Sequence, residues 1–163
     1  MFNQNGVYYD EQHTISFGSV SNGSWSNSYN TWTSWHLIPT SRPYVAQPAF
    51  TPKFVEVPGM NGQLDLTNYL TGGPTYGMRT GSFSFYMINH DGTLDPENLR
   101  YQIVNALHGK TWKMKLQDDP NYYYEGRFTV GNVEPGQQVS TITISYTLNP
   151  YRVKISDSSD KRL

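Results

Sequence analysis

Strict alternation of apolar and polar side chains, the period-two mark of a strand with one buried face, recurs through the second half of this chain. In SFSFYMI (residues 82–88), Phe83, Phe85 and Met87 share one face, and Ser82, Ser84 and Tyr86 share the other. TWKMKL (111–116) turns Trp112, Met114 and Leu116 inward and Lys113 and Lys115 outward. YYYEGRFTV (122–130) separates Tyr122, Tyr124, Phe128 and Val130 from Tyr123, Glu125, Arg127 and Thr129. STITISYTL (140–148) does the same with Ile142, Ile144, Tyr146 and Leu148 against Thr141, Thr143, Ser145 and Thr147. KFVEV (53–57) alternates over a shorter span before the turn PGMNG, which opens at Pro58 and where Gly59 and Gly62 supply the backbone freedom. LDLTNYL, beginning Leu64-Asp65-Leu66, reads as a helical turn or irregular crossing that ends at Gly72-Gly73-Pro74. EPGQQ (134–138) carries a Pro-Gly turn signal.

One segment has helical spacing instead. Asp95 is placed to cap, Pro96 suits the first helical position, and Glu97 favours the positive end of the helix dipole. Leu99, Ile103, Ala106 and Leu107 then form one stripe, which predicts a helix over 96–108 with Gly109 as the left-handed residue beyond it. His108 in the last turn would favour the local negative potential. Several strands with a single helix predict a mainly β (α+β) chain: an antiparallel β-sandwich or split barrel with the helix packed on one side. Residues 1–50 read differently, because Ser, Asn and Gly are mixed with Trp25, Trp32 and Trp35 and followed by Pro39, Pro43 and Pro48. That mixture predicts an extended N-terminal arm or long loop ordered by a partner, since indoles seek a covering surface. The sandwich would then occupy 51–152, and 153–163 would be a polar, frayed tail.

Composition narrows the function classes. The chain of 163 residues carries 15% charged and 15% aromatic residues, no cysteine and a formal net charge of −1. Without cysteine there is no disulfide framework, thiolate nucleophile or cysteine metal site. Near-neutral charge offers no bulk attraction to nucleic acid. No apolar run predicts membrane insertion, and MFNQNGVYY lacks a signal-peptide pattern, so the reading is a protein made in a cytoplasm. Asp118 and Asp119 invite a carboxylate-pair or metal reading, but Asp-Asp-Pro-Asn is also ordinary turn chemistry. His13, His36, His90 and His108 occur singly, outside any zinc or triad spacing. No nucleophile elbow or phosphate-cradling glycine loop is present. No catalytic residue, cofactor or metal is therefore expected. Aromatic-rich loops suit either sugar stacking or protein contact, and enrichment of Trp, Tyr and Arg at interfaces favours contact. The candidate interface is Trp25, Trp32 and Trp35, with the outward side chains Tyr123, Glu125 and Arg127 of the tyrosine strand.

Several strings, in order and with conserved spacing between them, resemble a family. They are RPYV, KFVEVPGMNGQLDLTNYLTGGPTYGMRTGSFSF, NALHGKTWKMKLQDDPNYYYEGRF and NPYR, together covering about residues 36–152. The resemblance is to the N-terminal domain of phage distal tail proteins. Pro58, Gly59, Gly62, Leu64, Asp65 and Leu66 match that family's turn and crossing, and Arg79 matches the arginine before its central strand. Leu107-His108-Gly109 and Gly126-Arg127 match two further words of the pattern. The resemblance implies a virion structural protein of the tail tip, six copies forming a baseplate ring whose bore passes DNA without sequence readout. Such a ring would contact the tail tube protein on one side and hub, fibre or receptor-binding proteins on the other. Larger relatives append a second domain, so host-glycan recognition is not expected of this segment. A tail-tube or tail-terminator-like ring protein and a carbohydrate-binding β-sandwich module are the alternative readings.

Overall fold

In a computed structural model that describes residues 13–69, 71–137 and 139–163, the chain is mainly β with one helix. The opening MFNQNGVYY, Leu70 of LDLTNYL and Gln138 of EPGQQ lie outside the described residues. The strands are β1 (Ile15–Ser21), β2 (Ser24–Asn30), β3 (Leu37–Pro39), β4 (Phe54–Glu56), β5 (Gln63–Asp65) and β6 (Arg79–Met87). After helix α1 (Pro96–Leu107) come β7 (Thr111–Leu116), β8 (Tyr122–Glu134), β9 (Thr141–Leu148), β10 (Arg152–Lys154) and β11 (Asp157–Arg162). The main sheet runs β2-β1-β7-β8-β9-β6-β3, with β10 joining the start of β8 and β11 joining β10. Its pairs are antiparallel, and it curls around a core without closing into a barrel.

Alternation explains the core. Phe83, Phe85 and Met87 of β6, Met114 and Leu116 of β7, and Ile142, Ile144, Tyr146 and Leu148 of β9 are all buried in one cluster. Phe128 and Val130 of β8 join them, as do Ile103, Ala106 and Leu107 from α1. The cluster also takes Ile15 and Phe17 from β1 and Leu37 from β3, which stand near opposite ends of the strand order. Phe17 meets Phe128 edge to face with ring centroids 5.0 Å apart. Burying each such side chain contributes about 1.5–3 kcal/mol. Gly126 has no side chain because one would strike the Thr147 carbonyl and Leu148 of β9.

Helix α1 starts as its sequence predicts, with the Asn98 N–H donating to the Asp95 carboxylate and Pro96 at the first turn. It ends one residue earlier than expected. His108 is the extended C-cap residue, and its Nδ1 accepts from the Val130 N–H at 3.1 Å. That bond ties the helix end to β8. Gly109 follows at φ 71°.

The N-terminal segment differs from the arm expected of it. Residues 15–30 form a hairpin around Asn22-Gly23, at φ 49° and 74°, the backbone that a two-residue turn between twisted strands demands. β1 then pairs with β7, so this hairpin extends the main sheet. The C-terminal segment is likewise strand rather than fray, because backbone pairing with β10 does not require an apolar pattern.

Candidate assembly surfaces

The most exposed part of the described chain is an excursion between Ala46 and Arg79. At its base Phe50 bridges Tyr76, the Gly77 N–H donates to the Ala49 carbonyl at 2.7 Å, and the Thr51 N–H donates to that of Thr75. Further out, β4 and β5 form a separate two-stranded sheet closed by the PGMNG turn, with Gly59 and Gly62 at φ 83° and 84°. Leu66 donates its N–H to the Lys53 carbonyl, and the Asp65 carboxylate accepts from Thr67, so LDLTNY (64–69) is the end of the second strand plus a turn. Every residue of both strands is exposed.

Register makes this hairpin amphipathic. Val55 stands opposite Leu64 on one face, while Phe54–Asp65 and Glu56–Gln63 stand on the other. Val55 is 44% and Leu64 42% exposed, and Met60 at the tip is 44% exposed. Nothing in the described chain covers the apolar face, and a lone two-stranded hairpin is marginal in water. Pro58, Gly59, Gly62, Leu64, Asp65 and Leu66 thus all belong to one projecting arm.

Arg79 anchors that arm. It is only 2% exposed, yet no carboxylate faces it among the described residues. Its Nε donates to the Pro150 carbonyl at 2.8 Å and its Nη1 to the Ala46 carbonyl at 3.0 Å, with the guanidinium over the Tyr124 ring. The clamp joins the residue before the excursion to the residue after it. Burial lowers the Arg79 pKa and raises that of Tyr124.

The tryptophans separate. Trp35 is 4% exposed, stacked on Tyr29 and packed near Phe17, so it belongs to the core and offers no contact surface. Trp32 is half-buried against the edge of His36. Trp25 lies on the outer sheet face near Tyr123, with Lys115 over its ring. Tyr123 is 7% exposed instead of outward and free, because Trp25, the Lys113 ammonium and strand β10 cover it. Glu125 is half-buried opposite Lys113, and Arg127 donates to the Gly109 carbonyl at 2.7 Å. Of the expected interface, Trp25 and Tyr123 come together, and Glu125 and Arg127 stand further along the same face.

The Asp118-Asp119 turn is a clamp on neighbouring segments. Asp118 accepts from His13 and Arg42, whose hydrogen bonds outweigh the opposing effect of burial and hold its carboxyl below the usual range. Asp119 accepts from Arg152 at 2.7 Å. No group of three or more His, Cys, Asp or Glu side chains is arranged for a metal among the described residues. Among the described residues, no helix is long and apolar enough to cross a membrane. The projecting hairpin was not recognised as an interface from sequence, although unbroken exposure of its apolar positions is its signal in three dimensions.

No family model matches the chain, and no curated protein matches it in sequence. A solved structure does match in fold. The chain superposes on the crystal structure of the SPP1 Dit protein with a TM-score of 0.57 at 13% identity, over 87% of this chain and 52% of that one. That protein is described as a paradigm of the hub adsorption apparatus in phages infecting Gram-positive bacteria. The fold implied by the distal-tail resemblance is the fold found. The chain spans about half the length of SPP1 Dit.

Proposed function

We propose that this chain is a structural component of a phage tail tip, acting by assembly rather than catalysis. Copies join head to tail in a closed ring, six in number, whose bore continues the tail tube and passes DNA. The tail tube protein binds one face of the ring, and hub, fibre or receptor-binding proteins bind the other. The observation that carries this reading is the β4–β5 hairpin, an amphipathic arm on a clamped base with no cover among the described residues. A heterologous ring contact, in which one patch meets a different patch of the next copy, covers such an arm in every subunit. The likeness to SPP1 Dit supports the setting.

The test is the mass of the purified protein in solution, with negative-stain images. The wild type is expected as a ring. Replacing residues 53–66 by a short glycine linker is expected to give a folded monomer with an unchanged circular dichroism spectrum. A ring of native mass lacking the hairpin would remove the basis of the proposal.

A further inference from the structure

We infer that the hairpin of one copy docks as an added strand along the free edge of β2 in the next copy. This rests on the ring reading above and names the surface that receives the arm.

Sheet edges expose unpaired N–H and C=O groups, and chains blunt them with charge, proline, shortness or a covering loop. Two of the three ends of the main assembly of strands are blunted in this way. β11 reads DSSDKR, with four charged side chains. β3 has three residues and ends in Pro39, and the following chain stays against β6 through the Thr40 N–H to the Ser84 carbonyl. β2 carries none of these devices. Its seven residues, SWSNSYN, contain neither charge nor proline, and its outer edge has no backbone partner among the described residues. The two-residue turn makes Ser21 and Ser24 the hydrogen-bonded pair, so the backbone groups of Trp25 and Asn27 point away from β1.

Both faces beside this edge match the hairpin. On the inner face stands Tyr29, stacked on Trp35 with centroids 5.3 Å apart. On the outer face stands Trp25, with the Lys115 ammonium 5.2 Å from its ring and no carboxylate in contact with that lysine among the described residues. An added hairpin that lays Val55 and Leu64 toward Tyr29 brings Glu56 toward Lys115. Glu56 has no ion-pair partner of its own among the described residues. From Phe50 to Met60 the arm can reach roughly 30 Å at strand rise, enough to cross to a neighbouring subunit.

The chain has no cysteine, which makes the test direct. Asn27→Cys protein mixed with Glu56→Cys or Gln63→Cys protein under mild oxidation is expected to give a covalent dimer in at least one mixture. The amides of Trp25 and Asn27 are expected to exchange at least about tenfold more slowly in the wild-type assembly than in the hairpin-deleted chain. If the assembly forms, the hairpin deletion dissociates it, and neither cross-link nor added protection is found, edge pairing is wrong while the arm's role stands. Equal protection in both proteins means the chain's own residues cover the edge, which also overturns the inference. A monomeric wild type overturns the ring reading along with it.

Discussion

Replacing Arg79 with methionine tests whether a buried guanidinium without a carboxylate partner stabilises this fold. The variant keeps most of the aliphatic volume and removes the donors to the Ala46 and Pro150 carbonyls. Hydrogen bonds from a charged donor contribute about 1.5–3 kcal/mol each, and their loss strands two acceptors. Relief opposes this, because the buried charge is poorly solvated and its Nη2 has no partner among the described residues. Removing a desolvated charge recovers a few kcal/mol at most, so a net loss of about 2–4 kcal/mol is expected. With a urea slope of about 2 kcal/mol per molar, the midpoint should fall by roughly 1–2 M at unchanged slope. Amides at the arm base, those of Thr51 and Gly77, should exchange faster, because Arg79 links the two chains entering the arm. Arg79→Lys, with a single point of donation, should recover only part of the loss. A methionine variant with a midpoint within about 0.3 M of wild type would refute the clamp, since that corresponds to well under 1 kcal/mol.

Two further outcomes follow from side chains in the same fold. Trp35→Ala should cost about 3–5 kcal/mol, as expected for a core indole, whereas Trp32→Ala should cost under about 1 kcal/mol; parallel urea melts of the two variants compare them, and similar losses would mean the core assignment is wrong. His36 stacks on His90 with centroids 3.5 Å apart, at φ 53°, and burial first and His90 second hold its pKa below the ordinary 6.5. The neutral form is favoured in the fold, so this stability is present above pH 6.5 and is lost as pH falls below that value toward the folded pKa. Asp91 works against the shift without reversing it. Melting temperature should therefore drop between pH 7.5 and 5 (a window set by the ordinary pKa of about 6.5), and His36→Asn should flatten the drop. An unchanged slope in that variant would assign the pH dependence to other groups.

Much of the sheet was legible because burial on one face writes itself as alternation, as in β6, β7 and β9. The helix was legible through Asp95 and Pro96. β1 and β2 were not, because only Ile15 and Phe17 mark the core side within a run of Ser, Gly and Asn. The Asn22-Gly23 pair was the available hairpin signal, and the tryptophans drew attention from it. Tyr123 was placed on the correct face, but its cover comes from Trp25 and β10, segments distant in sequence. The arm had the opposite difficulty. KFVEV alternates like a half-buried strand, and only three dimensions show that its apolar face meets no cover among the described residues.

Consider what it means that β4 and β5 touch so little beyond each other. Substitutions at exposed positions away from packed features usually change stability by no more than about 0.5 kcal/mol. Substitutions at Val55, Met60 or Leu64 are therefore nearly invisible to the stability of the monomer, while Arg79 keeps the arm's origin fixed. In the proposed ring, selection can rewrite the tip to follow a changing neighbour without jeopardising the scaffold that carries it. In this chain the freedom to change partners is set by where the packing stops.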